Sequence, residues 1–222
     1  MAINLQKGQT IDLRKDERGD PVYDLSRVTI GLGWDVRKQG GFFEKIFGGS
    51  GPEYDLDAIA FLLDKNGKVA DMGKNCQTSS GKEIVLYKSD VVYFNSMRHP
   101  TGKIWLTGDN RTGAGEGDDE QIIVQLDQLD ERYQKIVFVV SIYQGNENRQ
   151  HFGMIENAFI RAVDANGKEI TKFSLSGDAG LNGMCSVTFA ELYRHNDDWK
   201  FRATGEPHRT DNFIDVLASY TY

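Results

Sequence analysis

Short apolar segments of strand-like period run along the whole chain, broken every ten to fifteen residues by clusters of glycine, asparagine and aspartate. Runs of this length, rich in β-branched and aromatic residues and bounded by turn formers, predict strands. The expected strands are Val28–Trp34, Leu56–Leu63, Val91–Phe94, Gln121–Leu126, Lys135–Ile142, Met154–Val163, Glu169–Ser174, Ser186–Leu192 and Trp199–Ala203. Asp64-Lys65-Asn66-Gly67 and Asp164-Ala165-Asn166-Gly167 each carry an Asn-Gly pair, which predicts a type I′ turn with two positive-φ residues. His195–Asp198 predicts a longer hairpin loop. Helical signals are confined to Leu126–Tyr133 and to Asp211–Ser219, the latter with Asp211 or Asn212 as N-cap. The pattern predicts an all-β chain: a β-sandwich of two antiparallel or mixed sheets with short peripheral helices, as a single domain over residues 1–222.

Two stretches stand outside that pattern. Residues 37–53 read as an inserted glycine-rich loop carrying Phe42, Phe43, Ile46 and Phe47. Two readings are open for it: a loop held on the core by its aromatics, or a partner-docking surface. Residues 206–222 read as a C-terminal extension, with Phe213 and Tyr220 as candidate partner contacts.

Composition narrows the class. With 39% hydrophobic and 27% charged residues the chain is expected to fold rather than remain disordered. A net charge of −7 argues against nucleic acid or an anionic membrane as partner. Met1–Leu5 lacks a basic region leading into an apolar run, and the longest apolar runs are far too short to cross a bilayer. The expectation is a soluble, cytoplasmic protein with no direct membrane insertion, a monomer or weak oligomer. Cys76 and Cys185 lie far apart in no metal-ligand spacing and read as reduced thiols.

The charge is concentrated where the chemistry is expected. Between Asp109 and Glu120 stand the carboxylates of Asp109, Glu116, Asp118, Asp119 and Glu120, against Arg111 as the one cation. Calcium takes six to eight hard oxygen ligands from carboxylates, amide oxygens and backbone carbonyls. Asp109, Asn110, Glu116, Asp118 and Asp119 offer such oxygens, and glycines such as Gly113 and Gly115 let the backbone turn its carbonyls inward. Crowding these carboxylates without a cation costs repulsion, which a divalent metal relieves. The Asp-to-Glu span has the length of an EF-hand loop, yet Arg111, Gly113 and Ala114 occupy positions where that motif requires ligands and a glycine, and strands flank it. It reads instead as a calcium loop between two strands. Upstream, Asp55 and Asp57 are two apart and so share one face of a strand. With Asp35 at the end of the preceding strand they could complete the shell, for two neighbouring ions.

Catalysis and phosphate binding fit less well. His99, His151, His195 and His208 form no zinc pattern, and adjacent Asp118 and Asp119 on extended chain point to opposite faces, which suits chelation better than acid–base work. Neither Lys45–Gly51 nor Gly108–Gly117 ends in the Gly-Lys-Ser/Thr of a P-loop. The chain therefore reads as a non-enzyme. The alternatives kept beside it are a calcium-dependent small-ligand or nucleotide-binding module and a metal-dependent hydrolase.

The segments Ile30–Asp35 (IGLGWD), Asp55–Val69, Thr107–Glu120 (TGDNRTGAGEGDDE), Lys135–Tyr143, Glu156–Asp164 and Glu191–Gly205 resemble the TerD-type tellurite-resistance and stress-response family, including its TerZ- and TerX-like members. The resemblance spans nearly the whole chain from Leu5 to Gly205. It implies a calcium-binding β-sandwich with ions at one end, and a role in bacterial resistance to tellurite and related stresses. Because tellurium oxyanions and the acidic loop are both negative, the expectation is a calcium-dependent scaffold or sensor acting with other stress-response or membrane-associated proteins. Asp109, Asn110, Asp118 and Asp119 match the signature loop, and Asp55 and Asp57 match the DLDA pair. The 37–53 insertion and the residues after Gly205 depart from the shorter family pattern, which leaves partner contacts untransferred.

Overall fold

The structure, a computed structural model, describes residues 3–13, 23–36, 54–107, 118–175, 178–196 and 198–222, apart from the side chains of residues 35 and 36. The 37–53 stretch and most of the acidic loop, including Asp109, Asn110, Gly113, Gly115 and Glu116, lie outside the described residues.

Two six-stranded sheets face each other. The first has the order β1 (Ile3–Leu5), β12 (Glu169–Ser174), β11 (Ile155–Val163), β3 (Val28–Val36), β9 (Glu120–Val124), β8 (Ile104–Leu106). The second has the order β2 (Thr10–Asp12), β14 (Asp198–His208), β13 (Ser186–His195), β10 (Lys135–Ile142), β4 (Leu56–Leu63), β7 (Val91–Val92). A separate hairpin pairs β5 (Lys74–Gln77) with β6 (Glu83–Tyr87). Pairing is antiparallel throughout except between β1 and β12. Alternate residues of each strand meet between the sheets, where Ile30, Leu32, Trp34, Ile122, Phe138, Phe189, Trp199 and Phe201 form the main core.

β4 departs from simple alternation, because all eight of its residues are buried. Leu56, Ala58, Ala60 and Leu62 face the main core, while Ile59, Phe61 and Leu63 belong to a second apolar cluster on the outer face of the sheet. That cluster is closed by two short elements: the loop around Val91 and Tyr93, and the C-terminal helix. Helix α1 (Gly145–Asn148) follows β10, and helix α2 (Phe213–Leu217) follows β14. α2 starts at Asn212, whose side-chain oxygen accepts the Ile214 N–H at 3.1 Å. Phe213, Val216 and Leu217 are buried against Phe61 and Tyr93, with ring centroids 5.1 Å apart for Tyr93–Phe213 and 5.7 Å for Phe61–Tyr220. Phe213 is thus part of this outer core, and Tyr220 packs against it half-buried. The cap is one bond on an exposed helix end, so Asn212→Ala should cost about 1 kcal/mol of stability. Urea melts should show a lower midpoint at an unchanged slope.

The two Asn-Gly turns differ from the expected type. Asn66 and Asn166 keep negative φ, and only Gly67 (φ 72°) and Gly167 (φ 80°) enter the left-handed region. The preceding aspartate decides this. Asp64 Oδ1 accepts the N–H groups of Asn66 and Lys68 at 2.8 and 3.1 Å, and Asp164 Oδ1 those of Asn166 and Lys168 at 3.0 and 2.8 Å. A carboxylate hydrogen-bonded two residues on holds the turn in the ordinary hand, and one glycine then returns the chain. The His195 hairpin is tighter than expected: β13 and β14 pair out to His195 opposite Asp198, with Asn196 at φ 51°. Cys76 and Cys185 are both free thiols.

Candidate functional site

One end of the sandwich gathers the acidic strand ends. β3 arrives there with Trp34, β4 leaves it with Asp55 and Asp57, and β9 begins there at Glu120, directly after Asp118 and Asp119. The three consecutive carboxylates take three separate directions.

Asp118 lies on the outer face of the first sheet. Its Oδ1 accepts Arg161 Nε at 2.7 Å and its Oδ2 accepts Gln121 Nε2 at 3.2 Å, and the side chain is 2% exposed. Arg161 also reaches Glu169 at 2.9 Å, so a line of charge runs from the residues before β9, over β3, to β11 and β12. The Asp118 and Glu169 carboxylates hold the Arg161 guanidinium above its ordinary pKa, outweighing the effect of its burial. The space Asp118 occupies exists because residue 31 is glycine: a Cβ there would stand inside the Asp118 carboxylate. Gly31 lies opposite Arg161 in the β3–β11 register.

Asp119 continues the β9 ladder by other means. Its N–H donates to Leu32 O at 2.8 Å, and its Oδ2 accepts the Trp34 N–H at 2.9 Å, standing in for a strand carbonyl. Glu120 turns inward, is 2% exposed, and its Oε2 accepts the Ala58 N–H of β4 at 2.6 Å. This bond ties the first sheet to the second at the acidic end. A charge-assisted bond to a buried backbone donor is stronger than a neutral one.

Asp57, 8% exposed, lies opposite Ser141 of β10, and the Asp55 carbonyl accepts the Tyr143 N–H at 2.8 Å. Asp55, Asp57, Asp119 and Glu120 thus sit on the strand ends flanking the loop. All are hard oxygen donors of the kind calcium takes. Among the described residues, however, no three histidine, cysteine or carboxylate groups come close enough together to hold a metal by themselves. A metal shell at this end would need further oxygens from residues 108–117. Gly31 and Arg161 are not singled out by the sequence pattern, and Glu120 is read there only as part of the acidic loop, not as a tie between the sheets. The available signals were a glycine on β3, one of two there with Gly33, and a lone cation within the apolar FIRAV run of β11.

A second buried polar cluster lies away from this end. Asp90 Oδ1 accepts His99 Nε2 at 3.0 Å and Tyr133 Oη at 2.6 Å, and Asp90 Oδ2 accepts the Asp71 N–H at 3.0 Å. Thr101 N–H donates to His99 Nδ1 at 3.2 Å, so the ring hydrogen sits on Nε2, facing Asp90. Arg132 donates to the Tyr133 hydroxyl from outside. Asp90, His99 and Tyr133 are each at most 2% exposed. Burial pushes the Asp90 carboxyl up, and the bonds from His99 and Tyr133 outweigh it, holding it below the usual carboxylate range. Burial and the Asp90 carboxylate together raise the Tyr133 phenol well above its ordinary value. Every polar atom here points at another, so the cluster ties the β7 loop to the residues before β10.

Comparison with known proteins places this arrangement. The TerD domain model matches residues 1–220. The chain is 52% identical to tellurium resistance protein TerX of Serratia marcescens over 221 residues, 99% of this chain and 100% of that protein. It is 42% identical to stress response protein SCP2 of Bacillus subtilis (strain 168) over 222 residues, 99% of this chain and 100% of that protein. The crystal structure of SCO6318 from Streptomyces coelicolor A3(2), described as a homologue of telluride resistance protein TerD, superposes with a TM-score of 0.58 at 24% identity. The match covers 88% of this chain and 98% of that one, and shows the shared fold. A whole-length domain match together with identity of this extent settles the relationship: this chain belongs to the TerD family of tellurium-resistance and stress-response proteins.

Proposed function

We propose that this protein is a calcium-binding module of the bacterial stress response associated with tellurium resistance, working as a calcium-dependent scaffold or sensor for protein partners and not as an enzyme. The observation that carries the reading is the anchoring of Asp118, Asp119 and Glu120. Three bonded carboxylates fix residues 118–120 against β3, β4 and β11, beside Asp55 and Asp57. Holding Asp118, Asp119 and Glu120 in place leaves less of the site to be ordered by the ion, which lowers the cost of binding.

In this reading the residues divide by task. Asp55, Asp57, Asp109, Asn110, Glu116 and Asp119, with the carbonyls of Gly113 and Gly115, supply oxygens for two ions. Asp118, whose charge already faces Arg161, holds the loop in place more than it ligates. Calcium would supply positive charge that lets these carboxylates approach one another, and so order one end of the sandwich. Tellurium oxyanions are negative, as is this end, so their direct capture by the acidic loop is disfavoured. Resistance is then exerted through partners, which are stress-response or membrane-associated proteins, in the cytoplasm. Among the described residues no helix is long and apolar enough to cross a membrane.

Calcium at about a hundred times its Kd should stabilise the folded protein by roughly 2.7 kcal/mol, which for a chain of this size is a rise in Tm of about 5–10 °C. Differential scanning calorimetry of chelator-stripped protein, with and without calcium, reads this. A Tm unmoved by calcium, or a rise that EDTA does not reverse, would contradict the proposal.

A further inference from the structure

The outer face of the second sheet carries a groove of about 440 Å³, and none of its residues enters the calcium reading. Side chains alternate along a strand, so Arg202, Thr204 and Glu206 of β14 stand on the face opposite the core residues Trp199, Phe201 and Ala203. The register sets Thr188 of β13 opposite Glu206, and Glu191 opposite Arg202. One wall is Tyr220 of the C-terminal segment, and the other is the Lys7-Gly8 turn between β1 and β2. Both walls are tied down: Gly8 N–H donates to Ala203 O at 2.7 Å, and Val69 N–H donates to Tyr220 O at 2.8 Å.

A bulge shapes the floor. Pairing passes from Thr188 opposite Glu206 to Ala190 opposite Ala203, so β14 holds one extra residue there, with Gly205 at φ 59°. A left-handed glycine in such a bulge bends the strand and re-aims the side chains beside it. The hydroxyls of the floor are bonded: Thr188 Oγ1 lies 2.8 Å from His208 Nε2, and Thr204 Oγ1 donates to Thr188 O at 2.8 Å. Burial lowers the His208 imidazole below its usual value, outweighing the Glu206 carboxylate, so it adds no charge at neutral pH. Glu191, 8% exposed, accepts Lys135 Nζ at 2.8 Å. Arg202 Nη1 stands 3.6 Å from Glu191 Oε1, past hydrogen-bond reach. Among the described residues the Arg202 guanidinium, the Lys7 ammonium and the Glu206 carboxylate accept or donate no hydrogen bond, and Lys7 and Glu206 form no ion pair. The groove thus has a satisfied floor and open charges of both signs, within the volume range of small-molecule sites.

We infer that this groove binds an elongated zwitterion, its carboxylate taken by Arg202 and Lys7, its ammonium by Glu206, and its chain lying along Thr204 beside Tyr220. A guanidinium and an ammonium carry only donors and an ionised carboxylate only acceptors, so each end of the ligand meets a group of the matching kind and sign. Arg202 and Glu206 are four residues apart on one strand, roughly 13 Å along an extended chain, so the ligand must carry its own charges well apart. A simple anion satisfies Arg202 and leaves Glu206 without a partner. A simple cation does the reverse. Glycine, with its charges on adjoining atoms, reaches one end at a time.

Three probes of one chain length test this: 6-aminohexanoate, hexanoate and hexylamine, titrated into the full chain while the methyl resonances of Thr188 and Thr204 are followed by NMR. The protein is stripped of calcium first, so that the result stands apart from the calcium reading. The expected result is a saturable shift with 6-aminohexanoate, and binding weaker by about tenfold or more with hexanoate, hexylamine and glycine, each lacking one charge-assisted contact. Glu206→Gln should bring the affinity for 6-aminohexanoate down to that for hexanoate, and Lys7→Gln with Arg202→Gln should bring it down to that for hexylamine. All three positions are exposed, so these variants keep the fold. Absence of saturation with 6-aminohexanoate, equal affinity for the three probes, or a preference for 6-aminohexanoate over hexanoate that survives Glu206→Gln would overturn the inference.

Discussion

Asp90→Ala is expected to lower stability by about 3–5 kcal/mol, the range for breaking a buried charged network from one side. The substitution leaves the buried His99 Nε2–H and Tyr133 hydroxyl without the acceptor they share and removes the acceptor of the part-buried Asp71 N–H. Each such group costs about 1–3 kcal/mol when left unsatisfied. Chemical denaturation of the wild type and the variant measures the difference directly. Its pH dependence is fixed by the sign of the shift. The folded Asp90 carboxyl lies below its ordinary value, so its contribution is fully present above about pH 4 and is lost as pH falls through the lowered folded value. The gap between wild type and Asp90→Asn should therefore narrow on acidification below that point. A gap that stays constant down to pH 2 would show that the carboxylate charge is not what the network uses.

Gly31→Val is expected to be the most damaging single change to calcium binding outside the acidic residues themselves. The new side chain claims the space of the Asp118 carboxylate, and Asp118 cannot move without releasing Arg161 and Gln121. Disturbing residues that orient a ligand shell costs about 10- to 100-fold in metal affinity. The variant should also lose roughly 1–3 kcal/mol of stability from the displaced buried carboxylate. Combining Gly31→Ala with Asp118→Ser separates the two effects. The smaller side chain relieves the clash, so stability should recover in part, while calcium affinity should stay low because the anchor is gone. A full recovery of affinity in the double variant would mean that Asp118 does not hold the loop.

The sheets themselves were legible because their long strands are written in uninterrupted β-branched and aromatic runs. β4, β10 and β12 begin and end where the pattern places them. The strands that escaped notice are short and lie at edges or apart: β1, β2, β5, β6 and β8 have three to five residues each. Sequences such as TID and KNCQ carry too few apolar positions to show a period, and neighbours decide their pairing. The outer core was written in the chain but read differently. Leu56–Leu63 is apolar on both faces, which requires a cover for Ile59, Phe61 and Leu63, and the aromatic C-terminal segment provides it. The start of the C-terminal helix was readable to within one residue, Asp211 or Asn212, and the structure places the cap at Asn212.

At the acidic end, residue chemistry was readable and direction was not. Asp118, Asp119 and Glu120 look interchangeable in sequence, yet one faces a guanidinium on the outer sheet face, one completes a strand ladder, and one crosses to the other sheet. Two partners that fix these directions, Arg161 and Ala58, are 43 and 62 residues away along the chain. Only the fold brings them together.

The central claim, that this end of the sandwich holds calcium, is met most directly by isothermal titration of calcium into chelator-stripped protein, repeated for Asp109→Ala and Asp57→Ala. The account predicts saturable binding near two ions per chain in the wild type, and affinity lower by at least about tenfold in each variant, the loss of a direct carboxylate ligand. Absence of binding heat in the wild type, or titrations that superpose for all three proteins, would contradict it.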